Sequence, residues 1–286
     1  RTEMMSDPGG QCEAEGNASR IAIRLSKAAS EGANGTANMT STQGRYSRSS
    51  ASIAGNFRNK KINVFSRVGT VRSESYNRFS FDMLQNGLRL EESMLLQRTT
   101  VDYFGQFGTD FFLGEHHTIG FLASGSLQDG DHTGTDNFLI STIGGPVDSI
   151  LLAGSTSMTT RNRGEFNLNY RYDPGKGKSL NVDLDYGTFQ NTDLRSQPNT
   201  YVTPDRETVL TEVNNTFDTP RDIDIYTFKV DYEQPIGNGQ FGAGIRFSQV
   251  ATKNTFLFFD EVGGLPVQSD RRSNLFDTTR TSTPPT

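Results

Sequence analysis

Alternation of apolar and polar residues decides the fold class of this chain, because period two sends successive side chains to opposite faces of a strand. Phe166, Leu168, Tyr170 and Tyr172 alternate with Asn167, Asn169 and Arg171. After Asp173-Pro-Gly-Lys-Gly-Lys178 the pattern resumes, with Leu180, Val182, Leu184 and Tyr186 set against Asn181, Asp183 and Asp185. Tyr226, Phe228, Val230 and Tyr232 repeat it, and past Pro235-Ile-Gly-Asn-Gly239 so do Phe241, Ala243, Ile245 and Phe247. Earlier stretches (Ala51 to Phe57, Ile62 to Val68, Val101 to Leu113, Ile119 to Ala123) are noisier. There Phe65, Phe104, Phe112 and Leu122 fall out of phase. The fold class expected is all-β and antiparallel.

The connections narrow this further. Tight turns centred near 59, 115, 175 and 237 take turns with long polar segments near 74–97, 129–160, 191–222 and 255–275. A soluble sandwich has no reason for a short–long rhythm. An outer-membrane barrel has one, with short turns on the periplasmic rim and long loops outside. Aromatics gather beside the short turns: Phe57, Phe111 and Phe112, Tyr170 and Tyr172, Tyr232 and Phe241. Such a set can form an interfacial girdle, or it can be ordinary sandwich-core packing near turns. The girdle is favoured because polar residues fill the positions between. Arg171, Asp183, Asp185, Lys229, Asp231 and Arg246 fall on the alternate face, where they need a wet lumen.

Composition agrees. Only 33% of the 286 residues are hydrophobic, yet the 20 Phe and 9 Tyr argue against disorder. A net charge of −5 with scattered basic residues argues against nucleic acid as a principal partner. No apolar run approaches the roughly 18–20 residues of a membrane-spanning helix. The single cysteine, Cys12, forbids an intrachain disulfide or a cysteine-based zinc cluster and reads as a bland small residue. About nine strands are expected between residues 35 and 254, too few to close the wide barrel the loops suggest, and open edges invite aggregation.

The first residues carry a different signal. Asp7-Pro-Gly-Gly is followed by Glu13-Ala-Glu-Gly-Asn-Ala18, and then by Ile21-Ala-Ile-Arg-Leu25 with its apolar residues in phase. Ala28 to Gly35 is a small-residue linker. The stretch resembles the end of the plug domain of TonB-dependent outer-membrane receptors. Phe57-Arg-Asn-Lys-Lys-Ile-Asn-Val-Phe65 looks like the first periplasmic hairpin of that family, and Arg272-Ser-Asn-Leu-Phe-Asp277 is similar to a later loop segment. Cys12 stands where an aromatic is usual, and Ser19-Arg20 where small or apolar residues are.

The resemblance implies a barrel of about 22 strands filled by an N-terminal plug. The expected organisation is the plug end over residues 1–27, a linker over 28–34 and the first, incomplete part of the barrel over 35–286. Implied with it are a Gram-negative outer-membrane location and contacts with outer-membrane lipid. TonB would be reached through an N-terminal segment that the chain lacks. The expected role is uptake of a bulky extracellular ligand such as a siderophore, peptide or glycan. The alternatives are an outer-membrane barrel serving adhesion or signalling, and a secreted or cell-surface β-sandwich adhesin.

No constellation points to catalysis, a cofactor or a metal, so an enzyme is not expected. Asp129-Gly-Asp-His-Thr-Gly-Thr-Asp136 is rich in oxygen ligands but lacks EF-hand spacing, and reads as a solvated hairpin tip. It could also help hold lipopolysaccharide through a divalent ion. His116 and His117 are adjacent, would face opposite ways in a strand, and read as turn residues. Gly-X-Ser-X-Gly elbows and phosphate loops are absent. Ligand contacts are expected within 74–97, 129–160 and 191–222, with no individual binding residue singled out.

Overall fold

The computed structural model describes residues 2–5, 20–23 and 31–282. Thr2–Met5 (β1) and Arg20–Ile23 (β2) form an antiparallel pair. The strand expected at Ile21 and Ile23 therefore falls in β2, whereas Cys12, Glu13 to Ala18 and Leu25 lie outside the described residues. The remaining strands are β3 (Gly32–Gln43), β4 (Ser47–Arg58), β5 (Ile62–Gln85), β6 (Leu88–Leu113), β7 (His117–Thr142) and β8 (Val147–Gly175). They continue as β9 (Lys178–Val202), β10 (Val209–Asp218), β11 (Arg221–Ile236), β12 (Gly239–Val262), β13 (Leu265–Gln268) and β14 (Asn274–Ser282). These twelve make one antiparallel sheet, and there is no helix among the described residues.

β10 and β11 are one physical strand. Both pair with β9 and with β12 in a single register, and the ladder runs through the break: Thr219 N–H donates to Asp193 O (3.1 Å), and Thr255 N–H to Pro220 O (3.0 Å). Pro220 supplies no N–H, which is what interrupts the strand. β3 to β9 thus give seven ladder positions, β10 with β11 an eighth, β12 a ninth, and β13 with β14, both on β12, a tenth.

The four short turns lie where the sequence puts them, at 59–61, 114–116, 176–177 and 237–238. Each has a local cause. The Asn59 side chain accepts from the N–H groups of Lys61 (2.8 Å) and Ile62 (2.9 Å), closing an Asx turn. Lys176 and Gly177 both take positive φ (55° and 77°), the pair of conformations a two-residue hairpin needs to match strand twist.

The long polar segments are not loops. β5 and β6 stay paired up to a turn at Asn86 and Gly87, β7 and β8 up to residues 143–146, and β9 and β10 up to 203–208. Strand pairing also holds across hairpins at this height, as in Leu88↔Thr142 and Ile150↔Val202. The reason is backbone satisfaction: each N–H and C=O meets a neighbouring strand, so polar composition on both faces costs nothing. Accordingly Asp129 to Asp136 is the middle of β7, not a hairpin tip, and Asn274 to Asp277 belongs to β14.

Register reveals the tilt of the wall. One ladder row joins Ile62, Phe111, Ile119, Tyr170, Val182, Val230 and Ile245. Along it, the distance to the nearest short turn grows by about one residue per strand. With the four turns on one rim, about 3.3 Å per residue against about 4.8 Å between strands is a tilt of about 35°, within the range of membrane barrels.

The same register sorts side chains onto two faces. One carries Ala37, Ile53, Val68, Phe107, Phe121, Ala123, Phe166, Leu168, Leu184, Tyr186, Tyr226, Phe228, Ile245 and Phe247 in adjoining positions. Many are open, for example Ile53 at 65% and Ile245 at 61%. Among the described residues this belt holds no Asp, Glu, Lys or Arg on β5 from Ile62 to Thr70, on β6 from Leu113 to Tyr103, or on β9 from Leu180 to Tyr186. An apolar surface of that extent cannot stand in water. On β6 it runs ten residue steps from Leu113 to Tyr103, about 33 Å along the strand and about 27 Å upright at the tilt above, the height of an outer-membrane belt.

Candidate functional site

Both margins of the belt are aromatic. Near the short turns stand Phe57, Phe111, Tyr170, Tyr172, Tyr232 and Phe241, as expected, joined by His117, whose ring stacks on Tyr172 at 4.8 Å and whose Nδ1 meets Tyr170 Oη at 2.7 Å. Phe112 is the exception. It faces the other way, with the Arg58 guanidinium 4.8 Å over its ring. The upper margin was not legible as a girdle. There Phe166, Tyr186 and Tyr226 stack across three strands at 6.1 and 4.9 Å. Tyr186 Oη reaches up to donate to Asp224 Oδ1 (2.8 Å), the first charge above the belt on β11. A ring in lipid with its hydroxyl at a carboxylate is what an interface asks of tyrosine.

The opposite face is polar and more covered, as converging side chains on the concave side of a curved sheet would be. Ser157 and Thr159 are only 5% and 4% exposed. Asn167 donates to Asp185 (2.7 Å), Asn169 to Asn167 (2.7 Å), and Lys229 pairs with Asp231 (2.6 Å). The out-of-phase aromatics belong to this face and lie over glycines on the next strand. A Cβ on Gly108 would sit 2.2 Å from the Phe65 ring, and one on Gly69 2.5 Å from that of Phe104. Each glycine gives a ring a place to lie flat, which is why alternation fails there without breaking the sheet.

Just above the belt this inner face opens into a groove of about 240 Å³. Its lining is a grid on four strands: Ser73 and Ser75 of β5, Arg98 and Thr100 of β6, Gln128, Gly130 and His132 of β7, Thr159 and Arg161 of β8. Rows are fixed by register, Ser75–Arg98–His132–Ser157 above and Ser73–Thr100–Gly130–Thr159 below. Gly130, buried and without a side chain, is the floor.

Arg161 is held from two sides, Nε donating to Asn191 Oδ1 (3.0 Å) and Nη1 to Gln128 Oε1 (3.4 Å). Gln128 in turn donates to Asp102. Ser157 Oγ donates to Asp193 Oδ1 (2.8 Å), and Asp193 also pairs with Arg195 (3.3 Å). Partial burial, and after it the charge of Arg98, hold the His132 imidazole below its ordinary range, so it is neutral at pH 7. Ser157 also lies 3.5 Å from His132 Nδ1, but its proton goes to Asp193, and no carboxylate among the described residues hydrogen-bonds the imidazole. That is not a nucleophile–base–orienter chain. The groove straddles the lower edge of the regions expected to meet ligand: Ser75, Gly130, His132 and Thr159 lie inside them, Ser73, Arg98, Thr100, Gln128 and Arg161 just outside. His116 stands in a turn and His117 in the girdle, so the histidines do not gather, and no group of metal-binding side chains occurs among the described residues.

No curated protein matches the chain. Residues 173–282 match the outer membrane protein beta-barrel family. Together with the charge-free belt, its aromatic margins and the polar face behind it, that match identifies the sheet as the wall of an outer-membrane β-barrel and places the protein in the outer membrane.

Proposed function

We propose that the protein is an uptake receptor of the TonB-dependent kind, taking a bulky ligand such as a siderophore, peptide or glycan through the outer membrane. The observation that carries this reading is the height of the wall. β5 to β9 run 24 to 29 residues, where about 9–11 suffice to cross a bilayer. The excess is a paired sheet above the belt whose inner face holds a groove of fixed polar groups. A barrel serving only as an anchor gains nothing from such a face. The likeness of Glu13 to Leu25 to a plug end supports the same reading, which carries with it a barrel of about 22 strands with a plug inside. In it the chain contacts lipid through its belt and performs no catalysis, while TonB engages a segment N-terminal to these residues.

The test is uptake by intact cells of labelled ferric siderophores, short peptides and oligosaccharides, with and without the full-length gene and with the proton gradient dissipated. Loss of at least one uptake in both conditions is expected. Unchanged uptake of all three, with surface adhesion lost on deletion, would overturn the reading in favour of an adhesive barrel.

A further inference from the structure

We propose that the groove over Gly130 is an anion-binding site, built to hold a carboxylate or phosphate group of the ligand between the guanidinium groups of Arg98 and Arg161. The proposal deepens the uptake reading and rests on it for the identity of the ligand, but the binding itself is measurable apart from transport.

Charge bookkeeping within the grid carries the argument. Two carboxylates, Asp102 and Asp193, and four guanidinium groups, those of Arg98, Arg161, Arg163 and Arg195, stand on neighbouring positions of this face, with Arg163 turned over the Phe189 ring at 5.4 Å. Asp193 accepts from Ser157 and pairs with Arg195, so Arg195 is already neutralised. Asp102 accepts from the neutral Gln128 amide and keeps its charge one row below Thr100, offsetting part but not all of the guanidinium charge. Arg161 is held by two amide oxygens, which fix its orientation and leave its charge uncompensated. Arg98 is exposed and has no carboxylate partner among the described residues. A guanidinium oriented by neutral acceptors is ready for a planar, multiply oxygenated anion, because the cost of ordering it is met before the ligand arrives.

Position agrees with chemistry. Arg98 pairs across the ladder with His132, two residues above Gly130, and Arg161 with Gln128, two residues below it. Each stands one strand and two residues from the glycine on opposite diagonals, about 8 Å away by strand geometry, which an arginine side chain spans. Between them Thr159, Ser73 and Ser75 bring hydroxyl groups to the lining, Thr100 sets its methyl 3.4 Å from where a Cβ on Gly130 would stand, and the absent side chain of Gly130 leaves the room. A neutral His132 adds a donor without a counter-charge.

The test is calorimetric titration of the full-length protein in non-ionic detergent with citrate and, separately, with inorganic phosphate. Saturable binding of one or both is expected, and which of them binds assigns the group. Arg98→Gln and Arg161→Gln should each weaken it at least about tenfold. Arg161→Lys should weaken it nearly as much, since the charge stays but the fork held by Asn191 and Gln128 is lost. Thr100→Asp, which keeps both arginines and adds a carboxylate beside Gly130, should also weaken it. Lys253→Gln, on the outer face, should change nothing. Heat-modifiable gel mobility confirms that each variant is folded. Folded protein that binds neither anion, or Arg98→Gln and Arg161→Gln variants that bind like the parent, would overturn the site. Anion binding without any uptake in cells would keep the site and remove the transport reading. Uptake that persists where no anion binds would do the reverse.

Discussion

Ala123 and Ser124 are neighbours on β7 that the register sends to opposite faces, which makes them a direct probe of which face meets lipid. Ala123 lies in the row Phe107–Ala123–Phe166, midway between Ile119 and Leu127, so it sits at the middle of the belt. Ser124 points into the polar face, where its Oγ donates to Glu165 (3.3 Å). An arginine in place of alanine at the midplane costs about 2–4 kcal/mol, falling to about 0–1 near the margins. Ala123→Arg should therefore lower the folding equilibrium constant by about 30- to 700-fold. Ser124→Arg meets water and Glu165 and should cost under about 1 kcal/mol. Ile119→Arg and Leu127→Arg should fall between the two. The assay is reversible denaturant unfolding of the full-length protein in lipid vesicles, read by gel mobility and circular dichroism. Equal costs at 123 and 124, or the reverse order, would show that the assignment of faces is wrong.

Other expectations follow from particular contacts. Gly108→Ala should destabilise by about 1–3 kcal/mol because the new methyl displaces the Phe65 ring. Gly105→Ala, with Val68 3.9 Å away as its nearest neighbour, should be mild, and Phe65→Ala should relieve the Gly108→Ala defect in a double-mutant cycle. At the tip of the β5–β6 hairpin, hydrogen bonds from Arg89 hold the Asp82 carboxyl below its ordinary range. A depressed carboxyl adds stability above its unfolded pKa and loses it as pH falls through the lowered one. Amide exchange over residues 80–91 should quicken in that acid window, and Asp82→Asn should abolish the dependence. Phe166→Ala should disturb the upper girdle through its stack on Tyr186 and increase tilt heterogeneity in oriented bilayers, while Phe112→Ala should not.

The belt and its turns were legible in the sequence because lipid on one side and water on the other impose alternation, and because Asn59, Gly177 and Gly237 mark the turns. The wall above the belt was not. Once neither face meets lipid, alternation loses its cause, and Phe79, Phe81 and Met83 can turn inward while Arg78 and Asp82 turn outward. Polar strands then read as loops. Phe65 and Phe104 looked like errors of phase because the glycines receiving their rings sit about 40 residues or 35 residues away in sequence, on a neighbouring strand. The groove was hidden for the same reason. Arg98 and Arg161 are distant in sequence and become a pair only when register sets both beside Gly130.

The slip of the ladder also sets a bore. Ten positions at about 4.8 Å, widened by a tilt of about 35°, make an arc of about 60 Å. Rolled into a ring on its own, that arc would measure about 19 Å across its backbone, and inward side chains would leave a passage only about 9 Å wide. An anion held between Arg98 and Arg161 would then face the opposite wall with no space for the rest of a bulky ligand. A ring of about 22 staves measures about 41 Å and leaves about 30 Å clear, enough for such a cargo and too wide to stand unplugged. The edges Gly32–Gln43 and Asn274–Ser282 do not pair with each other among the described residues, so these ten positions stand as an open arc and the narrow ring is not closed.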